Sequence, residues 1–184
     1  MENDVAVSFD DETLRWISEA LKTMPRRIPR LITRVLNRTA NTIRVRTVKR
    51  IAGEVMLKQK QIRPAVKVLK ARFTQQIAAV RVASWRFPLL DFSARQIKSG
   101  VSYRISRKAG RKRIKSAFIA SVGVGGHRGV FKRVGTRRLP IQELRGPSIP
   151  AVLEDAPGML KGLEEEASVE LAKNIDAQIA LMVK

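Results

Sequence analysis

Leu14, Ile17, Leu21 and Met24 recur at helical spacing behind an acidic start, so the chain opens on an amphipathic helix with one apolar stripe. Ser8 or Asp10 can cap it, and Asp11 and Glu12 fall in its first turn, where the helix dipole favours negative charge. Pro25 and Pro29 punctuate the next few residues. Proline is tolerated in the first turn of a helix, so a second helix is predicted from near Pro29 to about Gly53, roughly 35 Å long at 1.5 Å per residue. Its apolar stripe is Ile32, Leu36, Ala40, Ile43, Thr47 and Ile51, while Arg27, Arg30, Arg34 and Arg38 line another face. Residues 54–67 show no sustained period beyond a short helix before or around Pro64.

From Val66 onward the pattern changes. Residues 73–83, with Ile77, Val80 and Val82, predict one long or bulged strand, and residues 85–92 (WRFPLLDF) an aromatic loop that either closes over the core or offers a stacking or subunit contact. Val101, Tyr103 and Ile105 alternate cleanly, and residues 114–119 supply a returning strand. The connection between them contains Arg107, Lys108, Arg111, Lys112 and Arg113, five positive charges around a Gly and an Ala. That composition predicts a flexible basic loop in solvent, set to meet phosphates or an acidic protein surface.

Residues 117–155 combine several signals in one run. Apolar residues up to Val124 and again at Val130, Phe131 and Val134 flank a glycine-rich break, which reads as an antiparallel hairpin with a mobile tip at residues 123–129. Pro140, Pro147 and Pro150 then hold an apolar segment extended and keep it from pairing fully as a strand. Leu139, Pro140, Ile141, Leu144, Pro147, Ile149 and Pro150 are therefore candidates for docking on another subunit or ring. Asp155, Pro157 and Glu164 to Glu166 open a last helix, with Leu160, Leu163, Ala167, Leu171, Ile175, Ile179 and Met182 as its stripe. No internal repeat is present. The expected fold class is α+β in a single domain: a mainly helical part (1–67), a mainly antiparallel sheet with hairpins (68–135), a Pro-rich extended segment (136–155) and an amphipathic C-terminal helix (156–184).

Charge sharpens this picture more than composition does. The net charge of +21 is segregated: of 37 basic and 16 acidic residues, five and fourteen lie in positions 1–19 and 143–184, leaving 32 and two in the middle. Such a field attracts nucleic acid, and it repels further copies of itself unless a polyanion intervenes or acidic ends of neighbouring subunits neutralise it. No compensating glutamate occurs anywhere between Pro25 and Gly53, so i+4 pairing within that helix does not account for Arg27, Arg30, Arg34 and Arg38. The 184 residues are enough for a core at 44% hydrophobic content.

The absence of cysteine removes thiol chemistry and disulfides. His127 is the lone histidine and lies between loop residues, far in sequence from Asp91. The acidic clusters suit helix starts, and the glycine-rich tip lacks the Lys-Ser/Thr of a phosphate-binding loop. No catalytic residue, metal or cofactor is assigned. The N-terminus is acidic where a secretory signal is basic, and no run reaches the roughly 18 apolar residues of a membrane span, so a soluble, unexported protein is expected.

Four elements in order, Ala117-Phe118-Ile119-Ala120, Val130-Phe131-Lys132-Arg133-Val134-Gly135, Arg138-Leu139-Pro140-Ile141 and Leu144-Arg145-Gly146-Pro147-Ser148-Ile149-Pro150, resemble the prophage minor tail protein Z family, the tail-completion proteins of long-tailed phages. The resemblance implies a structural virion protein completing the head-proximal end of the tail, without catalytic residues. It implies a homo-hexameric ring in the neck, where head joins tail and genomic DNA passes, in contact with tail terminator, tail tube and head-completion proteins. The expected location is the virion, reached through the host cytoplasm during assembly. Charge segregation adds a head-to-tail contact of acidic ends on basic middles, which closes into a ring by rotation. The alternative is a sequence-nonspecific DNA- or RNA-binding protein of the cell.

Overall fold

In the computed structural model, residues 4–7, 11–20, 27–123, 125–154 and 158–183 are described. In chain order they form β1 (Asp4–Val7), α1 (Asp11–Ala20), α2 (Ile28–Glu54), α3 (Gln59–Ile62), β2 (Val66–Leu69), β3 (Ala78–Val82), β4 (Arg86–Pro88), β5 (Arg95–Ile97) and β6 (Gly100–Tyr103). After these come β7 (Lys112–Lys115), β8 (Ala117–Val122), β9 (His127–Arg133), β10 (Ile141–Glu143), β11 (Arg145–Ser148), α4 (Ile149–Glu154) and α5 (Met159–Val183). The fold is mixed helix and antiparallel sheet with a C-terminal helix, as the pattern predicts. The chain divides into two units, one of Met1–Val48, Val66–Val82 and Ala156–Lys184 and one of Lys49–Ala65 and Ala83–Asp155, with α2 running from the first into the second. The proposed caps Ser8 and Asp10, the stripe residues Leu21 and Met24, and the helix-opening Asp155 and Pro157 lie outside the described residues.

The first unit is organised by α2. Ile32, Leu36, Ala40, Ile43 and Thr47 are all buried, and Leu31, Val35, Thr39 and Val48 widen the stripe into a broad face. Buried Thr47 donates its hydroxyl to the Ile43 carbonyl at 2.8 Å, which satisfies it within its own helix. A three-stranded antiparallel sheet in the order β1-β3-β2 supplies Val66, Ala78, Val80 and Val82 to the same core. Helix α5 lies antiparallel to α2, with Asn174 Nδ2 donating to Thr39 Oγ1 at 3.0 Å and Arg46 Nη2 to Glu170 Oε2 at 2.7 Å. Leu163, Ala167, Leu171 and Ile175 are buried as predicted, and Asn174 and Gln178 are buried beside them.

Of the long strand expected over residues 73–83 only Ala78–Val82 (β3) is strand, and a fixed loop leads into it from β2. Asn37 explains the break. Its Oδ1 accepts from the Ala71 N–H at 2.8 Å and its Nδ2 donates to the Ala71 carbonyl at 3.1 Å, so the chain turns out of β2 there. Arg72 and Gln75 then exchange backbone hydrogen bonds at 2.9 and 3.1 Å, closing a tight turn.

The second unit contains the sheets β10-β9-β8 and β5-β6-β7 and the pair β11-β4. The returning strand expected at residues 114–119 is cut at Ser116, whose φ of 60° is left-handed and bends the chain from β7 into β8. Residues 85–92 are not wholly a loop: β4 pairs with β11, and Phe87 and Phe92 are buried while Trp85 is exposed. The segment 136–155 pairs more than its prolines suggest, because each proline occupies a tolerant position. Pro140 precedes β10, Pro147 sits where the β11 register shifts against β4, and Pro150 is in the first turn of α4. The hairpin tip is shorter than predicted, since β9 begins at His127, paired with Val122.

Candidate functional site

The basic connection between β6 and β7 is exposed but tied down. The last carbonyls of a helix have no partner within it and carry the negative end of its dipole. Arg107 answers both needs for α2, donating Nε to the Ala52 carbonyl at 2.9 Å and its backbone N–H to the Glu54 carbonyl at 2.8 Å. Lys108 Nζ lies 2.9 Å from the Glu54 carboxylate. Arg104 folds back on the loop, donating to the Ala109 carbonyl at 2.8 Å and to that of Arg107. Arg111 donates to Ser102 Oγ at 2.9 Å and to the Ser93 carbonyl at 2.7 Å. Three of the five predicted cations therefore build the loop, and the expected flexible loop is instead an anchored one.

The other two, Lys112 and Arg113, lie on β7. Register places Arg95, Ser102 and Arg113 in one row across β5-β6-β7, with Ile97, Gly100 and Lys115 in the next row on the same face. Two strand spacings put Arg95 and Arg113 about 10 Å apart. Arg95, Arg113 and Lys115 are exposed and have no ion pair among the described residues; Arg113 only reaches Ser99 Oγ at 3.4 Å. Arg95 and Lys115 escaped the sequence reading because nothing in their spacing brings them to Arg113; only the register does.

The turn joining β9 to β10 presents Val134 and Leu139, 66% and 65% exposed, with Arg137 and Arg138 between them. The Val134 N–H donates to the Pro140 carbonyl at 3.1 Å and fixes the turn. Of the predicted docking residues, Leu139 and Pro140 are exposed, and Ile141, Leu144 and Pro147 are half-buried. Ile149 and Pro150 are buried and belong to the core of the second unit, because α4 folds back where an extended segment was expected. Nearby, His127 Nε2 is 2.8 Å from Glu143 Oε1, and Arg133 lies 5.2 Å over the Phe118 ring. The one histidine thus pairs across to β10 and is not a loop residue.

In the first unit Arg27 precedes α2 while Arg30, Arg34 and Arg38 lie along it on one stripe with Asn41 and Val45; all four arginines are exposed. Arg34 Nη1 donates to Gln178 Oε1 at 3.3 Å, whereas Arg27, Arg30 and Arg38 have no ion pair among the described residues. Arg46 is neutralised within its own chain by Glu170 and, at 3.7 Å, Glu166. Part of the acidic C-terminal helix is therefore spent on α2 itself.

Among the described residues no group of His, Cys, Asp or Glu is arranged to hold a metal ion, and no helix is long and apolar enough to cross a membrane. A family model described as prophage minor tail protein Z (GPZ) matches residues 16–184. No curated protein and no solved structure matches the chain.

Proposed function

The chain belongs to the prophage minor tail protein Z family, structural proteins of the phage tail that associate with other tail proteins in the virion, and from that membership we propose that it completes the head-proximal end of the tail. In this reading copies assemble into a closed ring of six in the neck. The ring contacts the tail terminator, tail tube and head-completion proteins, and genomic DNA lies in its channel. The single observation that carries the reading is the family match across 16–184; the charge pattern and the exposed surfaces support its details.

Three surfaces divide the work. The row of Arg95, Arg113 and Lys115 faces phosphates, because these cations are exposed and not consumed by internal pairs, unlike Arg107, Lys108 and Arg111. Arg30 and Arg38 on α2 offer a second cationic ridge for DNA or for an acidic neighbour. The turn carrying Val134 and Leu139 docks on another tail subunit, since two large apolar side chains exposed on one turn gain from being covered.

A sequence-nonspecific nucleic-acid binder is the second reading, favoured by the +21 charge alone. Quantitative protein analysis of purified virions separates the two. The tail reading expects this chain in fixed, ring-sized copy number per particle. A free binder would be absent from particles and would shift duplex DNA as a monomer or dimer with a steep salt dependence.

A further inference from the structure

The tight turn at residues 72–75 has no role in the surfaces above. It holds Phe73 at its tip, 62% exposed, with Leu69 and Ile77 exposed at its base and exposed Lys67, Lys70 and Arg72 around it. A phenylalanine on a loose loop would be unremarkable. This one sits on a backbone fixed twice, by the two-bond clamp of Asn37 on Ala71 and by the paired backbone bonds of Arg72 and Gln75, so a partner has only the side chain to order and not the loop.

A matching surface lies on the same unit. The outward stripe of α5 carries Val169, 72% exposed, with Ala172 beside it and exposed Glu165 and Asp176 one and two turns away. Neither carboxylate has an ion pair among the described residues. Lys173 lies one turn from Val169 on the other side, as near to it as Glu165, so the electrostatic match is confined to the Glu165 end.

The two surfaces cannot meet within one copy. Asn37 and Arg44, seven residues apart, hold Ala71 and the Val66 carbonyl on one flank of α2. Thr39 and Arg46, also seven apart, hold α5 on the other. At 100° per residue these flanks are about 200° apart around the helix. Complementary patches on opposite flanks make a heterologous contact, the kind that closes into a ring. We infer that the Phe73 turn of one copy docks on the outer stripe of α5 of the next, Phe73 against Val169 and Arg72 against Glu165. The inference rests on the ring assembly proposed above and names its contact.

Sedimentation velocity over a concentration series tests it, with circular dichroism to check folding. Phe73→Asp and Val169→Lys, both at exposed positions, each weaken self-association at least about tenfold while leaving the spectrum unchanged. Arg72→Glu and Glu165→Arg each weaken it, and the two together restore it. Because the chain has no cysteine, Phe73→Cys mixed with Val169→Cys gives a disulfide-linked pair of chains on mild oxidation, and neither variant alone does. Parent-like association of both Phe73→Asp and Val169→Lys overturns the contact and leaves the ring standing. A Phe73→Asp variant that self-assembles normally but fails to enter particles places another tail protein on the turn and likewise overturns the self-contact. A parent that stays monomeric at every concentration overturns the ring and the contact together.

Discussion

Gly146 illustrates how single positions carry this fold. A Cβ there would lie 2.3 Å from Cε2 of Phe92, a fully buried ring, so strand β11 passes over that ring only because nothing projects from it. Gly146→Ala must displace the ring or the strand. It should cost about 1–3 kcal/mol, read as a lower midpoint in urea denaturation. Gly100, at φ 146° with a Cβ position 2.0 Å from the Ile114 carbonyl oxygen, allows no side chain either. Asp91 is a different case. Burial pushes its carboxyl above the usual value, and the hydrogen bond from the Gln61 side chain only partly offsets this. A carboxyl raised in the folded state contributes stability that is intact below its unfolded value and is lost as pH rises through the folded one. Asp91→Asn should therefore gain stability over the parent at neutral pH, with the gain fading below about pH 4, where both side chains are neutral. A pH series of denaturation midpoints checks this, and a difference that grows on acidification would contradict it.

Among the elements, the turn between β9 and β10 and helix α4 behave oppositely although both belong to the proline-bearing segment. Replacing Val134 and Leu139 with Asp should leave the circular dichroism spectrum unchanged and stop incorporation into particles. Ile149→Asp should unfold the second unit outright, because it puts an unpaired charge at a buried position. The contrast marks what the sequence made legible. Helices α2 and α5 were readable because a 3.6-residue period sustained over 20 or more positions leaves little ambiguity, and Ile32 to Ile51 and Leu163 to Ile175 are buried as the stripes require. The β8–β9 hairpin was readable from its glycine break. The short strands were not. Val66–Leu69 and Arg86–Pro88 are too brief for alternation to show, and the partner of Arg86–Pro88, β11, is remote in sequence. The clamp of Asn37 on Ala71 spans 34 positions, and no local pattern announces it. The buried Asn174 and Gln178 were missed for a related reason: they are polar on a face predicted to be apolar, and only Thr39 and Arg34 across the seam justify them.

For the whole molecule, charge is the property with the widest reach. The 32 basic and two acidic residues of positions 20–142 were visible in the sequence, but which cations are free to act was not, because Arg107 and Arg111 are held by backbone carbonyls and Lys108 by Glu54. Replacing Arg95, Arg113 and Lys115 with Gln should reduce the salt dependence of DNA binding by roughly 0.7–0.9 slope units per lost phosphate contact, while Arg107→Gln should lower stability more than it changes that slope. Duplex DNA binding over a salt series, beside thermal denaturation of each variant, gives both quantities. The central claim is that this chain completes the head-proximal end of the tail, and electron microscopy of particles assembled without it tests that claim most directly. The account predicts tails lacking density at their upper end and DNA-filled heads left unjoined, with joining restored by the added protein. Normally joined virions, with the upper end of the tail intact in its absence, would contradict it.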